Sequence, residues 1–137
     1  YNLKKLYEWR RFRHRCAAII TVSSYAKWEI QKYLGLDGDK IFPIHHGVDL
    51  KTFMPSNKIS PQQPYFLHVS QYQPLKNVNR IIEAYARLPQ KDKPRLLAIA
   101  PGYPKKGPFP KGVELIRTSV DHKELASLYQ GAMAFVF

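Results

Sequence analysis

Along residues 65–88 the pattern of apolar and polar positions changes from that of a short buried strand to that of a helix. Residues 65–69, YFLHV, form a short, mostly apolar and β-favouring run just after a proline. In residues 78–85, apolar side chains recur at i, i+3, i+4 and i+7, which predicts an amphipathic helix with Asn77 as its N-cap. Leu88 followed by Pro89 predicts the end of this helix. The pattern therefore predicts a strand, a short loop and a helix.

The loop between this strand and helix carries Lys76. A strand that enters a helix through a short loop leaves unpaired backbone N–H groups, and the positive end of the helix dipole, at its carboxyl end. Parallel α/β sheets bind phosphorylated ligands at such places. We therefore predict an anion cradle at the N-terminus of the helix, formed by Ser70, Gln71, Lys76 and Asn77.

The other apolar runs predict a regular alternation of helices and strands. Before residue 56 we predict a basic helix at residues 1–15, a buried strand at 17–22, a helix that begins after Ser23 and ends at Gly35, and a strand at 41–44. After residue 88 we predict strands at 95–100, 113–116 and 134–137, with a helix from Asp121 to Gly131. This order predicts an α/β fold: a Rossmann-like parallel sheet with helices on both faces.

The composition turns polar between Ser56 and Pro64. We predict that residues 1–55 end one Rossmann-like domain and include a hinge, that residues 56–64 are a linker, and that residues 65–137 begin a second Rossmann-like domain. The chain starts in a helical pattern and stops in an apolar run, so we expect an internal piece of a longer protein.

The net charge of +12, from 22 basic and 10 acidic residues, favours anionic partners without choosing among them. The single cysteine fits a reducing compartment, and the chain opens with neither a secretory signal nor a bilayer-spanning run, so we expect a cytoplasmic protein. Residues 1–15 leave two interpretations open. They form either a solvated outer helix or a peripheral contact with the inner face of a membrane.

Several well-known chemical motifs are missing from the sequence. It has no Walker loop, no G-x-S-x-G elbow, no zinc-finger spacing and no G-x-G-x-x-G. His45 and His46 are adjacent, but neighbouring strand residues point to opposite faces and no further ligand stands at a suitable spacing. We expect no dedicated metal and no other cofactor.

Three stretches, in this order, resemble the group 1 glycosyltransferases, the retaining family 4 enzymes with the two-domain GT-B fold. The first stretch, AAIITVSSYAKWEIQKYLG…KIFPIHHGVDLKTFMP, is similar to the end of their N-terminal domain and the hinge. PYFLHVSQYQPLKNVNRIIEAYARL is similar to the opening of their C-terminal domain, and VELIRTSVDHKELASLYQGAMAFVF to a later part of the donor-binding half.

The resemblance implies transfer of a sugar, with retention, from a nucleotide-sugar donor to an unknown acceptor, which would be a glycan, a lipid-linked molecule or a small molecule. It makes Lys76 the catalytic residue that contacts the donor diphosphate, with Asn77 beside it. Ser70 and Gln71 stand where the family usually has glycine and arginine.

The resemblance also implies two further groups of site residues. Three residues match the loop beside the nucleobase: Thr118, Ser119 and Val120. Three others match the turn at the cleft between the domains: His46, Gly47 and Asp49. The family's paired glutamates would lie beyond Phe137, so we expect that the chain alone does not transfer sugar.

Two alternatives stay open. The first is a basic nucleotide- or nucleic-acid-binding α/β module, which the net charge favours, although nucleic acid is not the partner that we favour. The second is a non-catalytic interaction domain on the same fold, since fold does not determine activity.

Overall fold

The computed structural model describes residues 3–12, 15–56, 63–104 and 107–137. The chain forms two compact units, Tyr1–Val48 and Asp49–Phe137, each with its own parallel sheet. Residues 57–62 of the predicted linker lie outside the described residues, as do residues 1, 2, 13 and 14 of the predicted basic helix. The domain limits therefore stay a prediction.

The first unit combines two helices with a two-stranded sheet. Its elements are α1 Leu3–Phe12, β1 Ile19–Thr21, α2 Ser24–Leu34 and β2 Ile41–Pro43. The Ser23 hydroxyl accepts a hydrogen bond from the Ala26 amide at 3.0 Å, and Gly35 ends α2 with a φ of 62°. Both ends of this helix are therefore confirmed, because its cap residues adopt the geometry that their side chains favour.

The prediction of a buried strand over residues 17–22 is wrong: β1 spans only Ile19–Thr21, and of the six residues 17–22 Thr21 alone is buried, whereas Ile20 is 68% exposed. β1 pairs in parallel with β2, with Ile20 opposite Phe42. The buried residues of the pair, Thr21 and Ile41, belong to the sheet that α2 packs against. Ile20 and Phe42 share the other face of this pair, because alternate strand residues point to opposite faces, and both side chains are exposed.

The second unit is a four-stranded parallel sheet with two helices. Its elements are β3 Tyr65–Val69, α3 Val78–Ala86, β4 Arg95–Ile99, β5 Val113–Ile116, α4 His122–Gly131 and β6 Ala134–Phe135. The strands lie in the order β5-β4-β3-β6. The predicted fold class, a mixed α/β fold with a Rossmann-like parallel sheet, is confirmed.

The two helices cover opposite faces of this sheet. One core cluster contains the buried stripe of α3 with its strand partners: Val78, Ile82, Tyr85, Leu96 and Ala100. The other contains the opposite strand positions with the apolar stripe of α4: Tyr65, Leu67, Leu97, Ile99, Leu125 and Leu128. The predicted helical stripe of α3 is confirmed, since its members face the core.

The ends of α3 and α4 follow the sequence signals in part. Asp121 caps α4, because one of its carboxylate oxygens accepts hydrogen bonds from the amides of Lys123 and Glu124, both at 2.8 Å. α3 ends at Ala86, just before the predicted stop. No helix in the described parts of the chain has the length and apolar composition that a membrane crossing requires.

Candidate functional site

The strand order of the second unit creates a switch point between β3 and β6. From β3 the chain moves to β4 and then to β5 on one side, and α4 carries it back to β6 on the other side of β3. In open α/β sheets, ligands bind outside the carboxyl ends of the strands at such a point, where neighbouring connections diverge. The carboxyl ends of β3 and β6 are therefore the place to look for a site.

Lys76 lies at this switch point. β3 ends at Val69, residues 70–73 form a loop, and Pro74–Lys76 is a 3₁₀ turn before α3. The Lys76 ammonium lies 4.1 Å from the centroid of the Phe137 ring, and Phe137 follows β6. This cation–π contact holds the ammonium beside the ends of both strands, so the predicted lysine is at the predicted edge of the sheet.

The prediction that the Asn77 side chain caps α3 is wrong. Asn77 precedes the helix, but its side chain makes no capping hydrogen bond to the described backbone. Its φ of 51° is left-handed, because the chain must turn from the 3₁₀ turn into the helix at this residue. The amides of Val78 and Asn79 donate to no acceptor among the described residues. Val78 is 1% exposed, however, so of the two it is the amide of the exposed Asn79 that an anion can approach.

Ser70 lies at the end of β3 and points inward. Its side chain is buried, its amide donates to the Ile99 carbonyl at 3.0 Å, and its hydroxyl lies 2.8 Å from Nε2 of His68. The neighbouring Gln71 is exposed. The resemblance placed both residues at the donor, yet only Gln71 presents its side chain to solvent at this edge.

His68 is a buried residue at this edge that the sequence did not predict as part of the site. Its imidazole is 1% exposed and bridges the Ser70 hydroxyl and the Val136 carbonyl, each at 2.8 Å. A signal was present in the sequence: a histidine inside an apolar strand with a serine two positions later, which places both side chains on one face. The prediction of a buried strand hid this polar pair.

Thr118, Ser119 and Val120 follow β5 at the same edge of the sheet but not beside Lys76. β4 lies between β5 and β3, so two strand spacings of roughly 10 Å in total separate the two loops. Thr118 and Ser119 are exposed, whereas Val120 is half-buried and packs against the core cluster on the α4 face. Their proposed place near a nucleobase stays a prediction.

The turn that resembles the interdomain cleft spans the division between the two units. His46 and Gly47 belong to the first unit and are exposed, and Asp49 begins the second. The Asp49 carboxylate accepts hydrogen bonds from the Thr52 hydroxyl at 2.6 Å and from the Lys51 amide at 3.0 Å. The hydrogen bond from Thr52, followed by that from Lys51, holds the pKa of Asp49 below its ordinary value.

Two cavities adjoin Lys76. The larger, of about 550 Å³, lies along α3 and is mostly apolar; Lys76 and Arg80 supply its cationic side chains. The smaller, of about 190 Å³, is lined by Gln73, Leu75, Lys76 and Phe137. The smaller cavity is at the carboxyl ends of the strands, so we regard it, and not the larger apolar one, as the place for an anionic ligand.

The arrangement can hold an anion but supplies no metal ligand set. Among the described residues, no group of three His, Cys, Asp or Glu side chains could hold a metal ion. The Lys76 ammonium and the amide of Asn79 at the start of α3 can both contact a phosphate group. The absence of a cofactor stays a prediction.

A comparison with protein families matches the first part of the chain. Residues 1–52 match the family described as Glycosyltransferase Family 4. This supports a glycosyltransferase family 4-like segment, and the family description indicates glycosyl transfer, which involves a sugar donor and an acceptor. The match covers the first unit and does not reach Lys76. A comparison with curated proteins finds no match.

Proposed function

We propose that this chain is the middle part of a retaining glycosyltransferase that takes its sugar from a nucleotide-sugar donor, with the donor diphosphate at the carboxyl ends of β3 and β6. The observation that carries this proposal is the position of Lys76 at the switch point of the sheet. The family match over residues 1–52 supports sugar transfer independently, because it rests on a different part of the chain.

Lys76 would act on the donor in two ways. Its ammonium holds the diphosphate in the ground state, and it neutralises the charge that builds on the diphosphate as the sugar leaves. A charge-assisted hydrogen bond of this kind contributes about 1.5–3 kcal/mol. The amide of the exposed Asn79 adds the positive end of the α3 dipole.

The rest of the proposal follows the resemblance. The chain would span the hinge of a two-domain GT-B protein, with His46, Gly47 and Asp49 at the cleft and Thr118, Ser119 and Val120 near the nucleobase. The protein would be cytoplasmic and would use no dedicated metal. Residues 1–15 would allow a peripheral membrane contact, which the exposure of Tyr7 and Trp9 on α1 supports.

The substitution Lys76→Ala tests the proposal in the protein as encoded. We expect the Kd for UDP and GDP, measured by calorimetry, to rise about 10- to 100-fold, because the substitution removes the ammonium that contacts the diphosphate. The matched control is Lys91→Ala, which removes the same charge from an exposed turn between α3 and β4. A folded Lys76→Ala protein with the wild-type Kd for both nucleotides would remove Lys76 from the proposed mechanism.

A second candidate is a basic module that binds nucleotides or nucleic acid without catalysis. The net charge of +12 favours it. The charge is divided, however: +5 over residues 1–15, from six basic residues and one acidic residue, and +7 spread over residues 16–137, from 16 basic and nine acidic residues. A nucleic-acid groove would instead concentrate its basic residues along one face.

A further inference from the structure

A single buried imidazole connects the two strand ends that frame the candidate site. His68 is on β3, its side chain is 1% exposed, and both ring nitrogens have partners at 2.8 Å. One partner is the Val136 carbonyl, just after β6, and the other is the Ser70 hydroxyl, just after β3. The imidazole therefore lies across the seam between β3 and β6.

The partners determine the direction of both hydrogen bonds. A carbonyl oxygen can only accept, so Nδ1 of His68 carries a proton and donates it to Val136. In the neutral imidazole Nε2 is then an acceptor, and the Ser70 hydroxyl donates to it. Since the Ser70 amide also donates inward, to Ile99, neither donor of Ser70 is available to a ligand.

Each hydrogen bond fixes one side of the cradle. The bond to Val136 holds the residue before Phe137, the ring on which the Lys76 ammonium lies. The bond to Ser70 holds the residue before Gln71. Backbone pairing between β3 and β6 covers only two residue pairs, Phe66 with Ala134 and Leu67 with Phe135. The Val136 amide also donates to the Leu67 carbonyl. Beyond these contacts, the His68 imidazole links the two strand ends among the described residues.

We infer that His68 is a positioning residue for the proposed donor site: it sets the spacing between the Ser70–Gln71 end of β3 and the Phe137–Lys76 contact beside β6. The ligand of this site, a nucleoside diphosphate, rests on the proposed function. The positioning role itself rests only on the two hydrogen bonds of His68. The serine in place of the family's usual glycine then serves as a partner of His68 and not as a phosphate ligand.

The first test needs no ligand. In the protein as encoded, ¹⁵N NMR of the imidazole should give the tautomer that is protonated at Nδ1. The Lys76 side-chain resonances should be displaced by the ring current of Phe137. In His68→Phe, which keeps a ring but loses both hydrogen bonds, the Lys76 displacement should fall by at least half. In His68→Asn, which keeps an N–H near the Nδ1 position, it should be largely restored.

The second test measures the donor site. We expect the Kd for UDP and GDP to rise about tenfold in His68→Phe, or about 1.4 kcal/mol. The donor KM should rise and kcat should fall, because the displaced Lys76 ammonium acts both on the bound diphosphate and on the charge of the leaving group. Ser70→Ala, which keeps the bond to Val136, should raise the Kd about threefold and leave the Lys76 resonances unchanged. The matched control is His45→Phe, an exposed histidine of the first unit, which should leave both readouts at the wild-type value.

The outcomes separate this inference from the proposed function. If the wild-type protein binds neither nucleotide but His68→Phe still shifts the Lys76 resonances, the proposed function fails and the positioning role stands. If the wild-type protein binds and folded His68→Phe keeps both the Kd and the Lys76 shift, the positioning role fails. If His68→Phe does not fold, the imidazole tautomer and the Ser70→Ala affinity decide, and a proton on Nε2 or a wild-type Kd overturns the inference.

Discussion

At the scale of single residues, Gly112 is constrained from two directions. Its φ of 87° lies in the region that L side chains rarely adopt, and a Cβ there would meet the hydroxyl oxygen of Tyr85. That hydroxyl cannot move freely, because it donates to the Pro94 carbonyl at 2.9 Å from a buried ring. Burial also raises the pKa of Tyr85.

We therefore expect Gly112→Ala to lower the free energy of unfolding by about 2–3 kcal/mol, from left-handed strain plus the clash. Gly102→Ala should cost only about 1–2 kcal/mol, since Gly102 has a φ of 81° but no atom within 4 Å of an added Cβ. Gly107→Ala should be nearly neutral, because its Cβ also meets nothing within 4 Å and no positive φ opposes it. Urea denaturation of the three variants checks this order, and equal losses at Gly112 and Gly102 would contradict the clash with Tyr85.

At this scale, the sequence predicted those site residues whose position follows from the local order of strand, loop and helix. It did not predict those whose orientation depends on contacts with distant residues. Lys76 could be located because a lysine in a βα loop lies at the carboxyl end of a strand. The inward direction of the Ser70 hydroxyl could not be predicted, since it depends on Val136, 66 positions later in the chain, through His68. Val120 fits the same explanation: its burial depends on packing against α4.

At the scale of elements, the start of α4 depends on the carboxylate of Asp121, whose ionisation affects stability. The amide of Glu124 donates to the Asp121 carboxylate, and this hydrogen bond, the largest influence, lowers the pKa of Asp121 below its ordinary value of 3.8. Because the folded pKa is lower than the unfolded one, the ionised carboxylate stabilises the folded state above pH 3.8. That contribution is lost as the pH falls through the folded pKa.

We expect wild-type protein and Asp121→Asn to differ in Tm at neutral pH, and this difference to shrink as the pH falls below 3.8. Asparagine still caps the helix but carries no charge to lose. Asp121→Ala should melt below Asp121→Asn at every pH, because it removes the cap itself. Thermal melts followed by circular dichroism from neutral pH to about pH 2.5 measure all three, and a difference independent of pH would contradict a role for the charge.

The elements themselves were largely predictable from local signals. The 3.6-residue stripe of α3, the Ser23 and Asp121 caps and the strands around residues 65 and 95 all follow from patterns within a dozen residues. The burial of β1 was not predictable, because exposure of Ile20 depends on which neighbours cover the sheet. The left-handed backbone of Asn77 was not predicted. Asparagine is common both as a helix N-cap and at left-handed turn positions, and the sequence alone does not distinguish the two.

At the scale of the whole molecule, the distribution of charge distinguishes the two candidate functions. Both units are basic, at +5 and +7 over residues 1–48 and 49–137, from nine basic against four acidic and 13 against six. Dispersed basic residues attract polyanions weakly, whereas a groove lined with Lys and Arg contacts many phosphates at once.

We therefore expect oligonucleotides to bind weakly and with a shallow dependence of log K on log salt, with a slope of magnitude about 3 or less. UDP should displace the oligonucleotide only where the oligonucleotide occupies the Lys76 site. Fluorescence anisotropy with a labelled single-stranded oligonucleotide, between about 50 and 200 mM salt, measures the slope. A slope of magnitude near 6 or above, unchanged by Lys76→Ala, would favour the nucleic-acid-binding alternative.

The division into two units has an optical consequence. Both tryptophans of the chain, Trp9 and Trp28, lie in Tyr1–Val48, and the aromatic residues of Asp49–Phe137 are tyrosines and phenylalanines. Indole emission therefore reports on the first unit alone, while the proposed nucleotide site lies in the second. A change of that emission on adding UDP would show, without any label attached to the protein, that a tryptophan of the first unit responds to a nucleotide whose proposed site lies in the second.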